Sequence, residues 1–241
     1  MKNLMVRALT LHRLATRLVA IVVFAVLLSA TSFHAAFAQT GSLSGSAQRF
    51  TVLGGPAVTC TDFTITGDVG VYPGSTVNQM RCTINNGTIH AGDAAAGTAY
   101  SDFYQLYTDY AAAGGACSVT LTGTLACVTL SPEIYCFDAA ANLGGTLTLD
   151  AGGNPDAVWI FVIGTGGTGA LTASNFNVVI NGGQPSNVYW WVAEAATLTD
   201  SNFQGILLAG SDIAVNRGTF NGDALALGEV TLTGATLQSI A

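Results

Sequence analysis

The chain has 241 residues, of which 50% are hydrophobic and only 9% are charged, and its formal charge is −7. Such a chain is too apolar to be disordered. Its few basic side chains argue against nucleic-acid binding, because little would neutralise the phosphate backbone.

The first predicted element is a secretory signal peptide over residues 1–38. Four basic residues precede an apolar run from Leu18 to Ala30, and Ala36-Phe37-Ala38 offers a small-residue cleavage site. The run is shorter than the ~20 residues that a membrane-spanning helix needs. We therefore expect a secreted, extracellular chain without a membrane anchor. Cleavage leaves three arginines, no lysine and all fourteen acids, a formal charge of −11 that also disfavours anionic lipid.

The mature chain is predicted to be one mainly β domain over residues 50–241. Residues 39–49 are polar and Gly/Ser-rich, which predicts a flexible lead-in. From Phe50 onward, short Thr/Val/Ile runs separated by glycines predict strands with tight corners.

A single segment has helical periodicity, at about residues 93–113. Asp93 is a suitable N-cap and Gly114-Gly115 a suitable stop. An apolar stripe at spacings of three and four predicts a helix packed against one side of the domain. The stripe comprises Ala95, Ala99, Phe103, Leu106 and Tyr110.

Five cysteines remain in the mature chain, and an exported protein is expected to form disulfides. Their proximity in sequence favours Cys60–Cys82 and Cys117–Cys136, which would leave Cys127 free or as an alternative partner. The cysteines lack the paired spacing of a zinc site.

The C-terminal third repeats every seventeen residues, as in Phe203, Phe220 and Leu237. A repeat this short cannot bury its apolar face alone, so it must stack on copies of itself. Seventeen extended residues span about 56 Å, enough for the three short sides of a triangular coil. The repeat also predicts columns of like side chains, among them Thr199 with Asn216 and Thr233. We align Thr172 with Thr199, with about ten residues inserted around positions 181–187.

Catalytic and metal-binding patterns are weak. His90 would be the only histidine available for a Ser-His-Asp triad, and no Gly-x-Ser-x-Gly motif is present. Asp150 and Asp156 resemble calcium ligands, but the surrounding glycines and proline favour a turn. Asp212, Asp223 and Glu229 are interpreted as corner residues rather than a facing acid pair. We predict no enzyme, metal or cofactor.

Several motifs, distributed in order from Phe50 to Ala241, resemble the microbial ice-binding (antifreeze) proteins. The matching stretches include Gly67–Gly74, Leu147–Asp150, Asn154–Phe161, Asn187–Val192 and Asn221–Ala226. The resemblance implies a discontinuous, right-handed triangular β-solenoid with one flanking helix, and adsorption to ice as the function.

The resemblance also implies an ice-contact pattern, Thr-(Ala/Gly)-x-(Thr/Asn). Thr172-Ala173-Ser174-Asn175 and Thr233-Gly234-Ala235-Thr236 fit it, whereas the equivalent stretches at Thr199 and Asn216 carry Asp200 and Arg217. We expect the contact residues to lie in rows on a flat face away from the helix. The candidates are Thr172, Ser174, Asn175, Thr199, Ser201, Asn202, Thr219, Thr233 and Thr236.

Threonine is also simply a good strand residue, so the residue pattern alone would favour ordinary packing. With the resemblance, the leading hypothesis is a monomeric, secreted protein whose partner is the ice crystal surface. The alternative is a structural or adhesive solenoid of the cell envelope that binds polysaccharide or protein. A carbohydrate-active enzyme ranks third, because three scattered arginines would hold an acidic polysaccharide poorly.

Overall fold

The computed structural model describes residues 45–113 and 117–240, in which short parallel strands dominate. The predicted signal peptide lies outside the described residues. The described residues form seventeen strands, which are β1 (Phe50–Gly54), β2 (Ala57–Thr61), β3 (Thr64–Thr66), β4 (Asp68–Val71), β5 (Thr76–Met80), β6 (Thr83–Asn85), β7 (Ile89–Ala91), β8 (Val119–Thr120), β9 (Val128–Leu130), β10 (Ile134–Phe137), β11 (Ala141–Asp150), β12 (Trp159–Ile163), β13 (Leu171–Asn181), β14 (Val188–Val192), β15 (Ala196–Ala209), β16 (Ile213–Ala226) and β17 (Val230–Gln238).

The strands wind into a β-solenoid with three faces, as the sequence predicts. In β15, residues 196–199 lie on the first face, residues 202–204 on the second and residues 206–209 on the third. The neighbouring coil formed by β16 pairs with β15 in parallel at an offset of seventeen residues along its whole length. The seventeen-residue repeat is therefore one coil of the solenoid.

The chain does not climb the solenoid in one direction. β17 pairs with β16 on one side and with β2 and β3 on the other. β1 lies between β16 and β4 and completes the third face of the coil that β17 begins. The C-terminal coils thus stack directly on the N-terminal coils, and the solenoid is discontinuous.

The helix α1 (Ala94–Ala113) covers the third face, and its start agrees with the sequence prediction. The carboxylate of Asp93 caps it by accepting a hydrogen bond from the amide of Ala96 at 2.9 Å. The apolar stripe begins at the buried Ala96 rather than at Ala95, which is exposed. The stripe packs against side chains that point outward from the third face, including Tyr189, Trp191 and Leu208.

The predicted flexible lead-in is wrong for its last five residues. Gly45–Arg49 form a 3-10 helix. Ala47 is buried there, and the amide of Ser46 donates a hydrogen bond to Asp102 of α1 at 2.7 Å. Packing against α1 therefore orders this segment.

The solenoid interior is filled by aligned aromatic and aliphatic side chains. Phe203 pairs in register with Phe220, which pairs with Leu237, and all three are buried. Phe161 and Trp190 stack with ring centroids 3.9 Å apart. Such stacks fix the register of successive coils, and with it the alignment of the outward side chains.

Two disulfides form, Cys60–Cys82 and Cys117–Cys136, which are the pairs that the sequence favours. The first links adjacent coils at one end of the solenoid, and the second links the segment after α1 to β10. Cys127 is free and exposed. None of the helices in the described part of the chain is long and apolar enough to cross a membrane.

Candidate functional site

Outward side chains form three rows of short residues, all polar except Ala214. The rows lie on the first and second faces, on either side of a corner, rather than on the single flat face that the sequence predicts. The spacing is the same in each coil. Two outward residues on the first face stand two positions apart, and the second of them is followed three positions later by an outward residue on the second face. Row one contains Thr172, Thr197, Ala214, Thr231 and Thr59. Row two contains Ser174, Thr199, Asn216, Thr233 and Thr61. Row three contains Asn177, Asn202, Thr219, Thr236, Thr64 and Thr83.

The coil-to-coil separation within a row is set by strand pairing, which is roughly 4.8 Å. Packing of the solenoid interior holds the strands in register. Hydrogen bonds made by some of the row side chains fix those side chains as well. In row three the hydroxyl of Thr219 donates a hydrogen bond to the amide oxygen of Asn202 at 2.7 Å. In row one the hydroxyl of Thr59 donates to the carboxylate of Glu229 at 2.8 Å. The rows are regular arrays on a closely packed support.

The predicted alignment of Thr172 with Thr199 is wrong by two residues. Thr172 pairs with Thr197, and Ser174 pairs with Thr199. The repeat is therefore interrupted by eight residues rather than ten, and the extra turn containing Pro185–Asn187 accommodates them.

This register also moves Asn175 out of the rows. Asn175 has φ +50° and stands opposite Asp200, which has the same φ, at the corner between the two faces. Asn177 is the residue that aligns with Asn202 in row three.

Ser201 was predicted as a contact residue, and the structure contradicts this. Its side chain is only 3% exposed, because the left-handed corner at Asp200 turns the following residue inward. The Ser201 hydroxyl donates a hydrogen bond to the carbonyl of Thr199 at 2.9 Å and accepts one from the amide of Phe176 at 3.2 Å. Ser201 therefore supports the corner from inside.

Six residues, all with left-handed backbone, form what we call the corner column between rows two and three. They are Asn175, Asp200, Arg217, Gly234, Asp62 and Arg81. Arg217 donates from Nε and Nη2 to the two carboxylate oxygens of Asp200, each at 2.6 Å. Arg81 makes the equivalent bidentate contact with Asp62. These hydrogen bonds lower the pKa of both aspartates, so both pairs stay ionised near neutral pH.

Apart from the corner column, the first-face and second-face segments of the strands that carry the rows are uncharged. The strand segments that supply rows one to three in β2, β3, β6, β13, β15, β16 and β17 contain Thr, Ser, Asn, Gln, Gly and apolar residues. Acidic residues concentrate elsewhere, as at Asp212 and Glu229 in the turns between the third and first faces. Of the three acids interpreted as corner residues, Asp223 lies instead within β16, buried on the third face.

The rows extend beyond the residues that the sequence pattern predicts. They also include Thr59, Thr61 and Thr64, which pair with Thr231, Thr233 and Thr236 of the C-terminal coil. The sequence does contain a pattern that indicates this pairing, because the spacing Thr-x-Thr-x-x-Thr is the same in both segments. Asn177, Thr197, Thr231 and Thr83 are likewise row residues that were not predicted from the sequence.

The residues considered for chemistry have structural roles in this fold. Nδ1 of His90 lies 2.8 Å from the Asp93 carboxylate at the start of α1, and the His90 ring packs edge-on against Phe50. Asp150 and Asn154 accept hydrogen bonds from nearby backbone amides within turns. Within residues 45–113 and 117–240, no group of three or more His, Cys, Asp or Glu residues is arranged to hold a metal ion.

Comparison with known proteins connects this geometry to one family. The sequence pattern of the family described as ice-binding-like matches residues 52–238. An ice-binding protein of Nostoc sp. (strain HG1) is 37% identical over 202 residues, which cover 81% of this chain and 73% of that protein.

Solved structures agree with the sequence comparison. The structure of an ice-binding protein from an Antarctic biological consortium has a TM-score of 0.75 and 34% identity, covering 82% of this chain and 91% of that one. The ice-binding protein of the Antarctic ascomycete Antarctomyces psychrotrophicus has a TM-score of 0.74 and 30% identity, covering 83% and 98%.

Proposed function

The chain belongs to the ice-binding-like family, and we propose that it adsorbs to ice crystals through rows one, two and three. Adsorption there would inhibit ice growth and recrystallisation. The observation that carries this proposal is the alignment of short, uncharged side chains across five consecutive coils, with Thr, Ser or Asn at every row position except Ala214.

The chemistry of these side chains suits a crystalline ligand made of water. Ice is a rigid periodic array of oxygens, so a protein that holds it benefits from an equally rigid periodic array. Threonine is β-branched and stiff at χ1, so little side-chain entropy is lost on contact. Its methyl group can occupy a gap in an ordered water layer while its hydroxyl joins the hydrogen bonds of that layer. Because the solenoid preorganises the rows, many weak contacts add without further ordering.

The position of α1 also supports this assignment. The helix covers the third face, where the outward side chains are apolar and buried. Within the described residues, α1 packs on third-face strands such as β1, β12 and β14, whereas the polar rows lie on the first and second faces. An extended crystal surface can therefore approach them without displacing another part of the fold.

The proposal includes secretion and a monomeric state. Residues 1–38 have the charge and hydrophobic pattern of a signal peptide. The formal charge of −11 after cleavage opposes self-association, and ice binding by rows within one chain needs no partner subunit.

Purified mature protein tests the proposal directly. We expect dilute protein to shape single ice crystals, to produce thermal hysteresis and to keep polycrystalline ice from coarsening at a constant subzero temperature. Heat-denatured protein at the same concentration is the control. Unshaped, freely coarsening ice would contradict the proposal and favour the envelope-adhesin hypothesis.

A further inference from the structure

The corner column contains charges where the surrounding faces have none. After signal-peptide cleavage the chain keeps three arginines, and two of them, Arg81 and Arg217, stand in this column. Each is bound through two donors to an aspartate one coil away. The third, Arg49, lies in the 3-10 helix next to α1.

Backbone preference does not explain these charged residues. The column has φ values from +50° to +63°, a region where Gly, Asn and Asp are favoured and arginine is uncommon. Gly234 and Asn175 show that uncharged residues with good left-handed propensity occupy the same position in other coils. Arginine at positions 81 and 217 therefore has a backbone disadvantage that something else offsets.

A contribution to the folding stability of the protein does not explain the two Asp–Arg pairs well either. The side chains of Arg217 and Asp200 are 62% and 40% exposed, and those of Arg81 and Asp62 are 68% and 48% exposed. Ion pairs this exposed contribute little to folding, because water already solvates both charges and salt screens them.

The position of the pairs indicates a role on the surface. Asp200 and Arg217 lie between Thr199 and Asn216 of row two and Asn202 and Thr219 of row three. A bidentate contact fixes the guanidinium in the plane of the carboxylate and uses donors that would otherwise bind mobile water. Arginine is also more weakly hydrated than lysine, so the neutralised pair disturbs the adjacent water layer less than a free charge would.

We infer that the Asp200–Arg217 pair, and by the same geometry Asp62–Arg81, positions the ice-contact surface by cancelling charge and immobilising the corner between rows two and three. This inference rests on the proposed ice binding. The aspartates and arginines act as positioning residues, because each one orders the surface through its partner.

A double-mutant cycle tests the inference. Asparagine suits the left-handed corner, as Asn175 demonstrates, so the variants are Asp200→Asn, Arg217→Asn and the double variant. Each single change leaves one unpaired charge between the rows, whereas the double change leaves none. We expect each single variant to lose roughly half or more of the wild-type thermal hysteresis, because an unpaired charge holds its hydration strongly, and the double variant to recover most of it. Melting temperatures should differ little among all four proteins.

Asp109→Asn on the exposed surface of α1 is the matched control, since it changes net charge by one unit far from the rows. Single variants with wild-type activity would overturn the inference, as would a double variant no better than the singles. Losses of hysteresis that follow losses of melting temperature would show a merely structural role. A wild-type protein without hysteresis would instead refute the proposed function, and the inference with it.

Discussion

Asp223 is a buried carboxyl group on the third face with an unsatisfied oxygen. Its side chain is 3% exposed, and within residues 45–113 and 117–240 its Oδ1 has no hydrogen-bond partner. It pairs in register with Ile206, an apolar residue under the helix. Burial raises the pKa of Asp223 from 3.8 to about 7. The folded state therefore favours the protonated acid.

The raised pKa of Asp223 predicts how the free energy of unfolding changes with pH. Because the folded-state pKa is raised, the protonated carboxyl contributes its full stability below pH 4, and that contribution is lost as the pH rises toward 7. Asp223→Asn stays neutral at every pH. We expect it to raise the free energy of unfolding by up to about 4 kcal/mol at pH 8 and to leave it nearly unchanged at pH 4.

Denaturant titration at both pH values measures this difference. Asp156→Asn, in an exposed turn, is the control that removes a carboxylate from the surface. Equal stability of wild type and Asp223→Asn at pH 8 would mean that the buried carboxyl has a partner in solution.

At the scale of single elements, the terminal coil formed by β5, β6 and β7 is the most weakly supported part of the solenoid. Its strands pair on one side only within the described chain, with β2, β3 and β4, and most of its residues are exposed. The Cys60–Cys82 disulfide attaches this coil to the next one. Cys60 is buried, and Cys82 packs against the solenoid core.

Removal of this disulfide should loosen the terminal coil. The bond closes a segment with a sequence separation of 22 residues. The double variant Cys60→Ala/Cys82→Ala should therefore lose about 3 kcal/mol of stability in the chain-entropy account of disulfides. Hydrogen exchange should accelerate first at the amides of β5 and β6.

Cys127→Gly is the matched control, because Cys127 is free, exposed and at φ +60°, where glycine is well tolerated. It should melt like the wild type. An unchanged melting temperature in the double variant would show that strand pairing alone holds the terminal coil.

At the scale of the whole molecule, local patterns predicted the coil, the helix and both disulfides. The seventeen-residue offset between Phe203, Phe220 and Leu237 is also the offset between paired residues of adjacent coils. The sequence could predict it because each coil packs only on its neighbours. Asp93 and the apolar stripe predicted α1 to within one residue, because helix caps and helical periodicity are local properties.

The details that were missed depend on contacts distant in sequence. β17 pairs with β2, some 170 residues earlier, so the Thr rows at the two ends of the chain could be joined only by the fold. The length of the inserted turn decided the register of Thr172, and a two-residue error changed its partner from Thr197 to Thr199. The burial of Ser201 follows from the left-handed corner at Asp200, a conformation that few non-glycine residues adopt and that the residue pattern alone does not indicate.

Thr233→Tyr tests whether the rows themselves contact ice. Thr233 lies in row two with Asn216 and Thr61 as its register partners, and its side chain faces outward. A tyrosine ring there would hold a flat crystal surface away from the neighbouring side chains without entering the core. Thr98→Tyr, on the exposed side of α1, adds the same ring away from the rows.

The measurement is thermal hysteresis at matched concentrations, with circular dichroism and melting temperature recorded for each protein. We expect Thr233→Tyr to fold and melt like the wild type but to lose most of its thermal hysteresis, whereas Thr98→Tyr keeps it. Wild-type hysteresis in both Thr233→Tyr and Thr172→Tyr would contradict the account and move the ice contact to another face.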